Sequence, residues 1–600
     1  MADCRTIAII AHVDHGKTTL LDHMLRQSGT LVERGELVQC VMDSNPQERE
    51  RGITILSKCT AIEWEGHLIQ IVDTPGHQDF GSEVERVLRM VDSVVLLVDA
   101  VEGPMPQTRY VLRKALERGY RPIVVINKMD RPERRPSAVL DEVFDLFDAL
   151  GADDRQLDFP VIYASGRGGW ASRDEQRGGD DLRPLFETVV AEVPAAGANA
   201  EAPLQLQVAT LDYSEYLGRI AIGRVHAGAI HRGMRAVCCR RDGSLTPFRV
   251  TKLMGFLGLQ RVDRDRAVAG EIVALAGIDG VNVGETVCEA EAPAPLPLIP
   301  IDDPTISMLI GVNNSPFAGR DGRFVTSRQL RERLERELEH NVGLRLEATE
   351  RKDFWRIMGR GTLHLSVLLE TMRREGYEMS VGQPQVVLRG GEEPFEHLFV
   401  TVPSSCTGVV IEKLTRRSGV VLRHEVDAQG AAQLELRIPS RGLIGYCSEF
   451  LTDVHGEGVL YHAFDSYGPS VGEIRRRENG AIIVQHDCVT ASYGLHGLQE
   501  RGRLFVKPGE ETYAGQIIGL HNRSNDLVVN PGKRKQLTNF RAAGHDEAIV
   551  LTPPMRYSLE EALELIADDE LVEITPKAIR LRKRVLDHLE RRRETVHQTA

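Results

Sequence analysis

The sequence predicts a multidomain chain of mixed α/β and β architecture, opening on an α/β domain with a mostly parallel sheet. Three observations lead there. At 600 residues the chain exceeds what one hydrophobic core organises, since domains run to roughly 100–150 residues each. Its first 195 or so residues alternate short β-branched runs with longer amphipathic stretches, the pattern of strands joined by crossover helices. Past that point the pattern changes to short strands broken by glycines, and then to mixed α and β segments.

In chain order, residues 6–10, 68–73, 93–99, 123–127 and 161–164 read as buried strands, and 166–181, rich in Gly, Arg and Asp, as a surface loop. An Ala/Pro-rich stretch at 194–203 closes a first domain over residues 1–196. Residues 203–292 read as a β-barrel, followed by a stiff proline-rich strip at 293–304. Residues 303–390 read as an α+β unit with a strand at 305–312 and helices at 326–342 and 363–375. A second α+β unit follows over 393–478. The remainder, 479–600, combines short strands and a polar segment with a final basic helix expected over about 576–593.

Composition narrows the class. Apolar and charged fractions are those of ordinary globular proteins, and no apolar run reaches the ~18 residues a membrane helix needs. The N-terminus lacks the basic and apolar regions of a secretion signal, so a cytoplasmic protein is expected. Nine cysteines without a C-x-x-C pair read as isolated thiols of a reducing compartment, not as a zinc site. The net charge of −13 argues against a simple nucleic-acid coat. Residues 471–600, however, hold 20 Lys/Arg against 19 Asp/Glu, so polyanion contact is expected at that end.

The chemistry-bearing strings lie in the first domain. Residues 11–18, Ala-His-Val-Asp-His-Gly-Lys-Thr, follow a strand and precede a helical run, although Ala11 stands where glycine is usual. Phosphates are held by clustered backbone amides, a cation and a helix N-terminus. Asp14, His15, Gly16, Lys17, Thr18 and Thr19 are therefore candidate phosphate-loop residues, with Lys17 reaching the β- and γ-phosphates and the Thr18 hydroxyl on Mg2+. Asp73-Thr-Pro-Gly-His77 ends a strand: Asp73 can hold Mg2+ through water, and the Gly76 amide can approach a γ-phosphate. Asn127-Lys128-Met129-Asp130 explains a base preference. A carboxylate accepts from guanine N1–H and its 2-amino group, and adenine offers neither in that arrangement. Asn127 is expected to brace this loop and the Lys128 stem to cover the base.

Thr54, in Arg-Gly-Ile-Thr-Ile at 51–55, can complete the Mg2+ shell, and Ser165 and Gly166 can meet the guanine O6 through backbone N–H. His77, beside the γ-phosphate string, is the candidate catalytic residue that orients the attacking water. No arginine is evidently supplied in cis, so slow intrinsic turnover and activation by a partner are expected.

Together these strings resemble the translational GTPases. Gly-Arg-Gly-Thr-Leu-His-Leu-Ser at 359–366 and Gly-Gln-Pro-Gln-Val at 382–386 resemble the third domain of elongation factor G. Pro-Ser-Arg-Gly-Leu-Ile-Gly-Tyr at 439–446 and Ser-Glu-Phe-Leu-Thr at 448–452 resemble its fifth. No residues remain between these units for that factor's intervening domain. The strings at 522–526, 535–541 and 569–576 are instead similar to the BipA (TypA) family, a resemblance that covers essentially the whole chain.

The resemblance implies a P-loop GTPase domain, a β-barrel, two ferredoxin-like α+β domains and a family-specific C-terminal domain. It implies GTP or GDP with Mg2+ and no other metal, an apolar gate of Val13 and Ile53 around His77, and a phosphate-organising role for Asp14. It further implies a cytoplasmic protein, monomeric off the ribosome, whose hydrolysis the ribosome (70S or the 50S subunit) activates and which acts in large-subunit assembly and in growth under stress or cold. rRNA, tRNA and the nucleotide ppGpp are candidate partners, with Lys533, Arg534, Lys535 and Arg541 as RNA contacts. The residue after Ser165 is Gly166 where the family usually has Ala. Two other readings stay open: an assembly scaffold whose nucleotide is only structural, and another elongation factor G-like translation factor.

Overall fold

The structure, a computed structural model, describes all residues except 1–2, 13, 31–45, 52–53, 55–56, 75–80, 196–200, 215, 259, 300–302, 340, 427–429, 473, 475–476, 478, 535–549 and 600. The chain divides into two compact units, residues 1–302 with 337–343, and residues 303–336 with 344–600.

The first unit opens on β1 (Asp3–Ala11), α1 (Lys17–Gln27), α2 (Pro46–Arg51), β2 (Lys58–Trp64), β3 (His67–Asp73), α3 (Gly81–Leu88), β4 (Ser93–Asp99), α4 (Pro106–Glu117), β5 (Ile123–Asn127), α5 (Pro136–Ala149), α6 (Asp154–Leu157), β6 (Val161–Ser165), β7 (Trp170–Ser172) and α7 (Arg183–Glu192). The strands form one seven-stranded sheet in the order β2-β3-β1-β4-β5-β6-β7. β3, β1, β4, β5 and β6 run parallel, while β2 and β7 close the ends antiparallel. Both faces are covered, so the second half of β1 is apolar: Ala8 and Ile10 pack into one core cluster, Ile7, Ile9 and Ala11 into the other. The register sets Ile9 beside Asp73, Ala11 beside Leu97, and Asp99 beside Asn127. The C-terminal ends of β1, β3, β4 and β5 therefore meet at one edge, where ligands of open α/β sheets bind. Two readings from the sequence are incomplete here. β2 was not foreseen, although the Glu65–Gly66 turn that returns it to β3 has positive φ at both residues. Part of the expected 166–181 loop is β7.

A mainly antiparallel β domain follows, from the strand Gln205–Ser214 to the strand Thr286–Glu289, with eight strands in one sheet. Its Ile220, Ile222, Met254, Phe256, Ile272 and Ala274 join the same apolar cluster as Ala61, Leu68 and Val72 of the first sheet. Beside the β2–β3 hairpin the seam's polar groups are paired. Gln70 of β3 accepts from the Ile272 amide at 2.8 Å and donates to the Ile272 carbonyl at 3.1 Å, and the Gly258 amide donates to the Ala61 carbonyl at 2.8 Å. The β2–β3 hairpin and the β domain are one packed body.

The second unit contains two βαββαβ folds. In the first, strands Ile306–Val312, Arg345–Ala348, Phe354–Gly359 and Met379–Val381 take the order 2-3-1-4; in the second, strands Glu392–Pro403, Val420–Val426, Ala431–Pro439 and Val459–Pro469 do the same. That is the ferredoxin-like arrangement. The first sheet does not stop at its fourth strand. Met379–Val381 pairs antiparallel with Glu570–Ile574, which leads through Ile579–Lys583 and Gln516–His521 to Ala481–Val484, so distant segments share one sheet. Buried ionic groups lie along that join. The fully buried Glu573 accepts from Asn313 at 3.2 Å, Ser315 at 3.0 Å and Tyr513 at 2.5 Å, and pairs with Arg580 at 3.1 Å.

The basic helix expected over 576–593 is corrected. Residues 579–583 are a strand, returned by a turn in which the Thr575 amide donates to the Ala578 carbonyl, and the terminal helix is His588–Thr599. From the sequence, the positive charges at this end were expected to contact a polyanion. Instead Lys583 is buried against Asp526, Asp569 and Glu570, and Arg582 donates to Ser380.

Candidate nucleotide site

The loop after β1 turns through two left-handed residues, Asp14 (φ 64°) and Gly16 (φ 88°), and Gly16 caps α1, which starts at Lys17. The second is demanded by space as well as conformation: a Cβ at Gly16 would lie 2.7 Å from Asn127 Nδ2. Asn127, at the end of β5, ties three segments together. Its Nδ2 donates to the His15 carbonyl at 2.8 Å and its Oδ1 accepts from the Gly166 amide at 2.7 Å. Ser165 Oγ donates to Asp130 at 2.6 Å and accepts from Gly168, and the Met129 amide donates to the Ala164 carbonyl. The predicted phosphate loop, base loop and Ser165–Gly166 segment are thus one hydrogen-bonded group, with the Asp130 carboxylate at the surface.

Lys17 reaches across to β3. Its Nζ lies 2.8 Å from Asp73 Oδ1, 2.7 Å from Thr54 Oγ1 and 2.7 Å from the Thr74 carbonyl, while Thr54 Oγ1 is 3.4 Å from Asp73 Oδ2. Asp73 and Thr54 are buried, Thr18 is half-buried on the first turn of α1, and Thr19 is exposed. Val13, Ile53, Gly76 and His77 lie outside the described residues, as do Lys535 and Arg541. Lys533 and Arg534 are exposed in the second unit.

Two predicted residues face inward. His15 is fully buried, with Nδ1 3.3 Å from the Leu97 carbonyl; burial first, and neighbouring His12 second, push it down to about 4. It is neutral near pH 7, so its 3.6 Å approach to Glu102 is not an ion pair, and the backbone is the part of His15 that meets Asn127. The Met129 side chain is buried in the core and anchors its loop.

Two residues were not singled out from the sequence. Thr74 supplies a carbonyl to Lys17 and anchors itself by donating to the Ile9 carbonyl at 2.6 Å. Asp99, fully buried at the end of β4, pairs with Lys128 at 2.5 Å and accepts from the Val101 amide at 2.7 Å. Burial alone would raise its carboxyl, but the Lys128 ammonium and the Val101 amide hold it below the ordinary value. Lys128 sits at φ 63°, a strained position that this pair helps to hold. A lone Asp ending an apolar strand was the available signal.

Comparison with known proteins agrees along the chain. Residues 2–195 match the family model for the elongation factor Tu GTP binding domain, 218–288 that for elongation factor Tu domain 2, and 391–478 that for the elongation factor G C-terminus. Residues 479–588 match the TypA/BipA C-terminal domain. The large ribosomal subunit assembly factor BipA of Synechocystis sp. is 52% identical over 583 residues, covering 96% of this chain and 98% of that protein. The chain belongs to the BipA family. The proteins of the same name from Escherichia coli K12 and Bacillus subtilis 168 are 51% and 50% identical over 594 residues, each covering 98% of this BipA-family chain. A crystal structure of a Thermus thermophilus protein, 16% identical, superposes with a TM-score of 0.54 over 78% of this chain and 98% of that one, a likeness of fold. This BipA-family protein is a translational GTPase: it binds guanine nucleotide and hydrolyses GTP.

Among the described residues no helix is long and apolar enough to cross a membrane, and no cluster of three His, Cys, Asp or Glu side chains is placed to hold a metal. The Mg2+ expected with the nucleotide calls for hard oxygens, and the residues present fit it. Thr54 Oγ1 and Asp73 Oδ1 already converge on one cationic centre, the Lys17 ammonium.

Proposed function

We propose that this protein is a cytoplasmic, ribosome-associated GTPase that acts in assembly of the large ribosomal subunit, with rRNA, and in some states tRNA, among its contacts, ppGpp as a competing nucleotide, and a monomeric form off the ribosome. One observation carries the reading: relatives named for that assembly role match this chain at about half identity along nearly their whole length, the C-terminal region included. The domain division that goes with it is 1–196, 203–292, 303–390, 393–478 and 479–600, the last of them docking on RNA through Lys533, Arg534, Lys535 and Arg541.

In this reading Asp130 accepts from the guanine edge, Asn127 and Ser165–Gly166 hold the base loop, and Lys128 covers the base. The amides from Asp14 to Thr19 surround the phosphates. Lys17 exchanges Asp73, Thr54 and the Thr74 carbonyl for phosphate oxygens, so phosphate occupancy and the positions of residues 54, 73 and 74 are linked through one ammonium. Thr18, Thr54 and Asp73 would hold Mg2+, which when bound spreads the phosphate charge. Gly76 would contact the γ-phosphate, and His77, gated by Val13 and Ile53, orients the attacking water. With no arginine evidently supplied in cis by the sequence, ribosome contact supplies an acceleration of the order of 10³–10⁵.

Single-turnover hydrolysis with 50S subunits and 70S ribosomes tests this. His77→Ala should bind GTP as the parent does and hydrolyse it at least ~10²-fold more slowly. Equal rates would remove His77 from the mechanism. Failure of either form to co-sediment with any ribosomal species under a non-hydrolysable GTP analogue would remove the ribosomal role.

A further inference from the structure

Away from the nucleotide edge, the seam between the first sheet's domain and the β domain holds a pocket of about 370 Å³. Arg89, Asp92, Arg118 and Tyr120 line it from one side, Arg224 and His226 from the other. Its charges are unbalanced. Asp92 is committed twice, to Arg224 at 2.6 Å and to Thr6, so it neutralises one guanidinium only. Among the described residues no ion pair joins Arg89 or Arg118 to a carboxylate. Glu85, one turn before Arg89, is paired with Lys114 at 3.4 Å. The Nε atoms of Arg89 and Arg224 are buried and have no acceptor. Burial, and next the charge of Arg118, hold the Arg89 guanidinium below its ordinary value; burial, and next Arg224, push His226 down to about 4. Cations crowded together beside unfilled donors are costly unless an anion joins them.

We propose that this pocket binds the phosphate group of a ligand, gripped by Arg89 and Arg118 from one wall and by Arg224 and His226 from the other. Three guanidinium groups against one carboxylate leave two positive charges, which a phosphate dianion matches, and guanidinium forks suit phosphate oxygens. The volume leaves room for the group that carries the phosphate. The place matters: Arg89 directly follows α3, which itself follows residues 75–80, where Gly76 and His77 lie in the sequence. A bound phosphate would fasten the end of α3 to the β domain. The phosphate can belong to a small metabolite or to an RNA backbone.

Calorimetry on the full chain, preloaded with one equivalent of GDP and Mg2+ and desalted, tests this with two probes: inorganic pyrophosphate and a short single-stranded RNA. Pyrophosphate should bind the parent, and Arg89→Met combined with Arg118→Met should weaken binding by about 30-fold or more. Arg118→Met alone, at an exposed position, should weaken it by about tenfold without perturbing the fold, and Arg89→Lys should keep part of the affinity. If only RNA binding responds to these substitutions, the phosphate is one of a nucleic-acid backbone and the pocket stands. If neither probe binds the parent, or neither responds, the proposal is wrong.

Discussion

Replacing Gly16 by alanine perturbs the nucleotide site through a contact that no ligand makes. The new Cβ meets two obstacles. At φ 88° an L-residue is strained by about 1–2 kcal/mol, and the methyl would sit 2.7 Å from Asn127 Nδ2. Asn127 is the side chain that must move, and it would give up the His15 carbonyl at 2.8 Å and the Gly166 amide at 2.7 Å. Each buried bond lost with its partner left unsatisfied costs about 1–3 kcal/mol. The sum is about 3–8 kcal/mol, and if it appears in binding, GDP affinity falls by about 10² at the low end and up to about 10⁶ at the high end. Titration calorimetry with GDP measures this directly. The decisive control is a double-mutant cycle with Asn127→Ala, which removes the obstructing amide. In that background Gly16→Ala should retain only the conformational penalty, about 1–2 kcal/mol. Additivity of the two substitutions to within about 0.5 kcal/mol would refute the steric account.

Two further outcomes follow from buried charges. Asp99→Asn removes the carboxylate that holds Lys128 in its left-handed position, so GDP affinity should drop by about tenfold or more while the phosphate-loop contacts of Lys17 persist; unchanged affinity would show that Lys128 needs no anchor. Acid should act oppositely on two parts of the chain. His15 is neutral with its value lowered to about 4, so the stability it contributes is complete above about 6.5 and is lost as pH falls toward 4. His462 is held well above its ordinary value, the Glu396 carboxylate outweighing burial, so its contribution is complete below about 6.5 and is lost as pH rises through the raised value. From pH 7.5 to 5.5, hydrogen exchange corrected for intrinsic rates should show β1 and α1 losing about 1.4 kcal/mol of protection while the strand Val459–Pro469 gains protection. The same sign in both would contradict these assignments.

The fold of the first domain was legible because both faces of its sheet are covered. That makes β1, β3, β4, β5 and β6 short, mostly apolar runs, and each was found within a few residues of its observed ends. The nucleotide loops were legible for a related reason: their residue types are set by phosphate and guanine chemistry at a strand end. Less visible was what holds those loops. Asn127 was expected to brace them, but that Gly16 must be bare to admit its amide, or that Asp99 pins Lys128, depends on strands brought together by folding. The terminal basic segment misled because charge alone does not reveal a partner. Arg582 and Lys583 are buried because Ser380, Asp526, Asp569 and Glu570 come to them from other strands, and only Asp569 and Glu570 are near in sequence.

The Gln70–Ile272 pairing has a consequence for how the chain is made. Synthesis runs from the N-terminus at about 5–20 residues per second, so roughly 5–20 s separate the emergence of β7 from that of Ala274. Through that interval Ala61, Leu68 and Val72 belong to a cluster whose other side, Phe256, Ile272 and Ala274, has not been translated. The nascent GTP-binding half is thus an unfinished object with one greasy flank, and the apparatus that makes it must shelter that flank. An expression fragment cut after the first domain would preserve this adolescent state indefinitely, whereas one that runs on through the β domain would reach maturity.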